Sequence, residues 1–316
     1  AEAVKWYRKA AEAGSAFGMA YLGSAYSRGH GVAKNEKMAL DWNRKAAEAG
    51  STAGMMHLGV ALIEGSGTEK NEKEAAQWYR KAADAGNPMG MIELGELYLD
   101  GRGVEESEKE ALQWFQKAID SGEPSALVSL GNFYFARGID KPDRKKAAEL
   151  FRRGAEEGSP AGMFFMGMIS ISGIGIKKDV AEGERWLKKA VDEDFIPAMV
   201  SLGDLYSSES DGAPDPAIAM KWYRRAADAG DSTGMTRLAM CLAAGDGVER
   251  DDKEAVMWAR KAAELDNPRG MVVLARMYLD GRGVEKDVKE ARAWLKKAAD
   301  RGNEAAKKLL QEIGTE

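Results

Sequence analysis

The octapeptide Tyr-Leu-Asp-Gly-Arg-Gly-Val-Glu fills residues 98–105 and returns unchanged at 278–285. Two glycines one residue apart, with an arginine between them, could cradle a phosphate, because backbone N–H groups freed of side chains can converge on an anion. A nucleotide fingerprint also needs a strand before the glycines and a third glycine opening the next helix. Helix-forming sequence flanks this loop on both sides, so the glycines read as suppliers of positive φ in a tight inter-helix turn. The stretch AGDGVERDDKE at 244–254 gathers Asp246, Asp251 and Asp252. A calcium loop requires oxygens at alternate positions and a closing glutamate at its twelfth, and this spacing supplies neither. His30 and His57 are the only histidines and Cys241 the only cysteine. A transition-metal cage, an internal disulfide and a Ser/His/Asp or Cys/His constellation therefore cannot be assembled. Cys241 reads as a small core hydrophobe. Neither a catalytic residue nor a cofactor is expected.

Composition points the same way. The 316 residues carry a net charge of −5, with 31% charged and 44% hydrophobic side chains, the profile of a folded, unpolarised protein. No basic stripe suggests nucleic acid, and no apolar run approaches the roughly 18–20 residues of a membrane-spanning helix. The chain opens AEAVKWYRKAAEAG, without an initiator methionine or a signal-like apolar segment, and so reads as the interior of a longer protein. The sequence leaves both the compartment, cytoplasmic or periplasmic, and the oligomeric state open.

What positions these loops is a repeat. The two octapeptides lie 180 residues apart, five times 36, and all eight tryptophans (6, 42, 78, 114, 186, 222, 258 and 294) share one column of period 36 whose only vacancy is Leu150. Eight ungapped units follow: 15–50, 51–86, 87–122, 123–158, 159–194, 195–230, 231–266 and 267–302. Residues 1–14 read as the second helix of a preceding unit and 303–316 as a C-terminal capping helix.

Each unit predicts two helices. Ser15, Ser51, Asn87, Ser159, Asp231 and Asn267 are N-cap residues for the first helix, and proline takes the position after the cap in four of the eight units (Pro88, Pro124, Pro160 and Pro268). Its buried stripe is Gly/Ala, Met/Leu, Leu/Met, Gly/Ala and Tyr, as in Gly90, Met91, Leu94, Gly95 and Tyr98. The methionine column from Met19 to Met271 is accordingly core, not a soft-metal ligand set. Asn35, Asn71, Ser107, Asp143, Asp179, Asp215, Asp251 and Asp287 cap the second helix, and Glu74, Glu110, Glu182, Glu254 and Glu290 are placed to complete capping boxes. The tryptophan column is expected to be core. Glycine closes the second helix in most units; Asp194 and Asp266 replace it and are expected to bend or loosen those junctions. One helix pair cannot bury its apolar face alone, so the units must stack into an all-α solenoid.

The pattern G-M-x-x-L-G-x-x-Y-x-x-G-x-G-V, a polar N-cap, then W-Y-x-K-A-A-x-x-G resembles the Sel-one-like repeat (SLR) family of the tetratricopeptide-like superfamily, over the whole chain and most fully at 87–122 and 267–302. The resemblance implies a right-handed superhelix of antiparallel helix pairs, with first helices on the concave side. It also implies an adaptor or scaffold for protein complexes, as in bacterial signalling, secretion or host interaction. Two units depart from the pattern: ARGIDKPD replaces the glycine loop in 123–158, and SSESDGAPDP does so in 195–230.

If repeated columns build the scaffold, function belongs to the columns that vary. On the first helix these are positions 3, 7, 10 and 14, a face opposite the buried stripe. There the first unit offers Tyr21 and Arg28 beside Phe17 and Ser24. The third is acidic (Glu93, Glu96, Asp100) and the fourth neutral (Asn132 beside Ser129). The fifth is apolar (Phe165 and Met168 beside Phe164), and the last two are basic (Arg237, Arg269, Arg276). A groove graded from acidic through apolar to basic suits a protein or peptide ligand of matching polarity, anchored on the aromatic–methionine centre. Phe164 or Phe165 could equally pack against a neighbouring repeat. A regulatory or substrate-recruiting arm of a larger enzyme is the alternative. Glycan binding, for which Tyr21 and Asn132 offer the only hint, is a third reading.

Overall fold

A computed structural model of the chain describes residues 2–137, 142–208 and 214–314, and it falls into two compact units, residues 1–157 and 158–316. Among the described residues all regular structure is helical. The first unit holds α1 (Glu2–Glu12), α2 (Ala16–Arg28), α3 (Glu36–Glu48), α4 (Thr52–Glu64), α5 (Glu72–Asp84), α6 (Pro88–Asp100), α7 (Glu108–Asp120), α8 (Pro124–Ala136) and α9 (Arg144–Glu156). The second holds α10 (Pro160–Ser172), α11 (Val180–Asp192), α12 (Ile196–Ser207), α13 (Pro216–Asp228), α14 (Ser232–Ala244), α15 (Asp252–Glu264), α16 (Pro268–Asp280), α17 (Val288–Asp300) and α18 (Glu304–Glu312). Each unit is an α-solenoid of 36-residue helix hairpins. Parts of the two divergent loops lie outside the described residues.

The hairpins close by the same device in every repeat. All eight expected second-helix N-caps accept a hydrogen bond from the backbone N–H three residues on. Their own N–H groups donate back to a carbonyl of the first helix, as Asn71 does to Leu62 (2.8 Å) and Asp287 to Tyr278 (3.0 Å). That bond leaves the first-turn glutamates three residues after each cap nothing to cap. Instead of completing capping boxes, Glu74, Glu182 and Glu254 accept from the indole Nε1 of Trp78, Trp186 and Trp258. Glu74 and Glu254 also bind Arg44 and Arg224 of the preceding repeat, at 2.5 and 2.7 Å.

The tryptophan column is less buried than its regularity suggests. Trp78, Trp114 and Trp258 are buried, Trp42, Trp186, Trp222 and Trp294 are half-buried, and Trp6 is 63% exposed. A cation three residues along lies over each ring, such as Lys81 at 3.9 Å from the Trp78 centroid and Lys117 at 3.8 Å from that of Trp114. The deeper residue is the one after the tryptophan column: Tyr79, Phe115, Phe151 (after Leu150) and Tyr223 are nearly fully buried. Their rings lie on a glycine of the first helix. A Cβ added at Gly95 or Gly131 would fall 2.6 Å from a carbon of Phe115 or Phe151. Where the column carries Ala259, its partner is Ala239 rather than glycine, so the two positions trade volume.

Asp194 and Asp266 keep the turn of the glycines they replace. Both adopt the positive φ of the glycines they replace (59° and 67°), a conformation aspartate tolerates better than most residues. Asp266 is further held by an ion pair with Arg301.

Several successive first helices within a unit also touch one another, α2 with α4, α6 with α8 and α14 with α16, which no successive second helices do to the same extent. The first helices therefore lie on the inner side of each unit's curve.

Candidate functional site

The glycine loops are fully committed to structure. Gly101 and Gly281 are the left-handed C-caps of α6 and α16 (φ 65° and 66°). Gly103 and Gly283 (φ 70° and 68°) press on the carbonyl oxygens of Glu72 and Asp252, each the first residue of the preceding second helix. The arginine between the glycines clamps the same residue's carboxylate, Arg102 to Glu72 at 2.8 Å and Arg282 to Asp252 at 2.7 Å. Val104 and Val284 pack against the cores. The octapeptide is an inter-repeat fastener.

The acidic stretch at 244–254 is likewise spoken for. Asp251 caps α15, and Asp252 is held well below the usual carboxylate range, at about 2, by hydrogen bonds from Arg250 and Arg282. Among the described residues no group of three or more His, Cys, Asp or Glu is disposed to hold a metal. Cys241 is half-buried against the core, and burial, followed by the charge of Asp246, pushes its thiol up to about 11. That is the wrong direction for a nucleophile.

The variable stripe fares differently in its several parts. In the first unit, Tyr21 is 56% exposed, but one ring face stacks on Tyr7 at 5.2 Å. Arg28 is exposed and lines a cavity with His57. Glu93 and Glu96 are half-buried on α6, and burial raises both carboxyls above the ordinary range. The charge of Arg102 opposes this at Glu93, as do a hydrogen bond from Ser129 and the charge of Arg137 at Glu96. Asp100 is exposed, yet it already pairs with Arg137 at 3.1 Å. Asn132 is exposed on α8.

In the second unit the apolar centre is smaller than expected. Phe164 is core-side, its ring 5.3 Å from that of Phe195; Phe165 is half-buried in edge contact with Phe164; only Met168, 40% exposed, stands clear. Arg237 is tied to Asp204 at 3.1 Å. Arg269 and Arg276 project from α16 with no side-chain hydrogen bond or ion pair among the described residues. One cavity brings Arg237 and Arg269 together, a second holds Arg276, and both share Met240, which is 47% exposed. Met240 occupies position 10 of its repeat, and its membership of the varying column was the signal that could have found it.

The helix boundaries and the second-helix N-caps recur in register, as does the glycine loop outside the two divergent units, and the family model "Sel1 repeat" matches residues 1–15, 16–51, 52–87, 88–123, 124–159, 160–195, 196–231, 232–267 and 268–303. The chain belongs to the Sel1 repeat family. A search of curated proteins finds no match. Among solved structures, this Sel1 chain is similar to a Sel1 repeat protein from Oxalobacter formigenes, with 27% identity, 98% of this chain and 90% of that chain covered, and a TM-score of 0.62. It is also similar to a protective antigen present in uropathogenic Escherichia coli strains, described as displaying an SLR fold, at 29% identity over 98% of this chain and 74% of that one, TM-score 0.52. An immunity protein from Pseudomonas aeruginosa shares the fold at 20% identity, over 70% of this chain and 84% of that one, TM-score 0.54. Sel1 repeats are a non-catalytic scaffold architecture, and their proteins generally mediate protein–protein interaction. No helix of the Sel1 chain, among the described residues, is long and apolar enough to cross a membrane.

Proposed function

We propose that this chain is a non-enzymatic interaction scaffold whose inner, first-helix faces bind a protein or peptide, and that the acidic face of α6 takes a basic segment of that partner. The observation that carries the reading is the placement of Glu93 and Glu96. Burial disfavours a carboxylate unless a counter-charge compensates it, and here the nearby arginines are engaged elsewhere, Arg102 with Glu72 and Arg137 with Asp100. A lysine or arginine from outside would supply the missing compensation. In the second unit Arg269, Arg276 and Met240 offer the opposite chemistry, suited to an acidic or apolar segment. Arg28, Asn132, Phe165 and Met168 extend these faces along the same columns, while Tyr21, Asp100 and Arg237 contribute through side chains already braced within the fold.

The test uses a lysine- and arginine-rich synthetic peptide and its acidic counterpart. The basic peptide is expected to bind, more weakly as salt rises. The double change Glu93→Gln and Glu96→Gln should weaken it at least about tenfold, about 1.4 kcal/mol. Equal binding of both peptides, or unchanged affinity in the variant, would remove α6 from the binding face.

The same variant carries a pH prediction. A carboxyl whose pKa is raised in the folded state holds its proton more tightly there than in the unfolded chain. The folded state is thus favoured at low pH and penalised as pH rises through the folded pKa. Glu93→Gln with Glu96→Gln should melt above the parent at neutral pH, and the gap should close on acidification towards about 4, the ordinary glutamate range. Thermal melts followed by circular dichroism across that window decide it; a gap that widens in acid contradicts the burial argument.

A further inference from the structure

In the second unit the varying stripe of α14 runs Thr233, Arg237, Met240 and Ala244, and that of α16 runs Arg269, Val273, Arg276 and Asp280. The α14 stripe begins and ends in small side chains, and a hollow opens on each side of Met240. The hollow at the start of α16 measures about 400 Å³ and holds Arg269; the one towards its end measures about 350 Å³ and holds Arg276. Met240 lines both, 47% exposed, with half-buried Val273 beside it. The two hollows thus make one groove, apolar in the middle and basic on either side.

The other arginines of the groove are compensated from within the chain: Arg237 by Asp204, Arg301 by Asp266 and Arg282 by Asp252. Arg269 and Arg276 are exposed and carry no side-chain hydrogen bond or ion pair among the described residues. A guanidinium is best satisfied by a carboxylate, which it can grip through two parallel bonds. Seven residues of α-helix separate the two arginines, about 10 Å along the axis. Because α14 and α16 touch, a ligand helix about 10 Å across cannot enter between them. An extended chain can. Polyproline II returns to the same face every three residues, after about 9 Å. A β-strand returns every two, at about 7 or 13 Å, and matches the arginines less well.

We infer that the groove between α14 and α16 binds an acidic polypeptide segment of the form acidic–apolar–x–acidic, extended in a polyproline-II-like conformation. The inference rests on the reading of the first-helix faces as binding surfaces and names the ligand of the second unit's face. The two carboxylates, three residues apart, accept from Arg269 and Arg276. The apolar side chain between them turns towards the neighbouring helix and covers Met240 and Val273; a methionine surface adapts to varied apolar shapes. Asp280 stands at the far end of the second hollow and carries no ion pair among the described residues. It would repel a carboxylate placed beyond Arg276, so the acidic pair ends there.

The probe is a fluorescently labelled peptide with the core Glu-Leu-Pro-Glu between Gly-Ser and Ser-Gly flanks, blocked at both ends so that only side-chain carboxylates are read. It is titrated against the 316-residue chain by anisotropy and then calorimetry. Two control cores keep the charge: Glu-Glu-Leu-Pro brings the acids together, and Glu-Ser-Pro-Glu removes the leucine. The probe is expected to bind, more weakly as salt rises, with both controls at least about tenfold weaker. Arg269→Ala with Arg276→Ala, both at exposed positions, should melt as the parent does and lose the probe by at least about the same factor. Met240→Ala should weaken the probe and leave the serine control unchanged. Absence of probe binding overturns the inference. So does a Glu-Glu-Leu-Pro core that binds as tightly, which would reduce the groove to diffuse attraction, or binding that survives the double arginine variant. The lysine- and arginine-rich peptide should bind that variant through α6 as it binds the parent. If it does while the probe binds neither chain, this inference fails alone; if the probe binds and the basic peptide does not, the reading of α6 fails alone.

Discussion

Phe115→Ala is expected to cost about 3–5 kcal/mol of stability, as large aromatic deletions in a closed core do. The ring is 0% exposed, is enclosed between α6 and α7, and rests on the bare backbone of Gly95. Helix–helix packing gives the surroundings little freedom to collapse into the space. The size of the effect is less informative than its dependence on the partner. Gly95→Ala alone drives a methyl to 2.6 Å from the Phe115 ring and should destabilise. Introduced into Phe115→Ala, the same methyl enters the cavity and replaces a helical glycine, which is itself worth about 1 kcal/mol. The double variant then reproduces the alanine–alanine pair of Ala239 and Ala259. A double-mutant cycle should return a coupling of at least about 1 kcal/mol in favour of the pair. Additive effects in denaturant titrations would mean that the glycine is not there to seat the ring. Trp6→Ala supplies the contrast: with a ring 63% exposed, it should change stability by less than about 0.5 kcal/mol despite belonging to the most regular column in the sequence.

That contrast shows what periodicity can reveal. A column of period 36 reports that a position is used in every repeat; it does not report depth. Trp78 and Tyr79 are adjacent, aromatic and equally helical, and only the glycine twenty residues earlier marks Tyr79 as the deeper of the two. The exchange of Gly for Ala at 239, matched by Ala at 259, was the readable trace of that contact. Caps and turns were legible because each depends on one local side chain and one backbone angle, as the eight second-helix N-caps illustrate. The capping boxes misled because local sequence cannot show that Asn71 N–H is already engaged by Leu62, which frees Glu74 for Trp78 and for Arg44 of another repeat. The candidate faces follow the same division. Their columns were legible, whereas which charges were already neutralised was not: Asp100 and Arg237 are tied to Arg137 and Asp204 through contacts more than 30 residues distant.

Gly103→Ala tests the fastener by separating backbone angle from close approach. Three glycines of the third repeat have positive φ, and an L-residue forced into the left-handed region costs about 1–2 kcal/mol. At Gly122 that is the whole effect, since a Cβ there meets nothing within 4 Å. At Gly101 the nearest atom is the Glu106 side chain at 3.3 Å, which can shift slightly. At Gly103 the new carbon would land on the carbonyl oxygen of Glu72, the first residue of α5, in the preceding repeat. That oxygen belongs to a helix backbone and cannot rotate away, so the loop must lift from α5 and draw Arg102 off the Glu72 carboxylate. Overpacking adds about 1–3 kcal/mol to the angular strain. Gly103→Ala should therefore cost about 2–5 kcal/mol, clearly more than Gly122→Ala. Hydrogen exchange offers the spatial readout: protection should fall at the start of α5 in Gly103→Ala and stay unchanged there in Gly122→Ala. Equal losses in the two variants would reduce the second glycine to a turn residue. A larger loss at Gly103 means that the loop joins neighbouring repeats, and that the phosphate-like spacing of its glycines exists because one helix start must fit beneath the second.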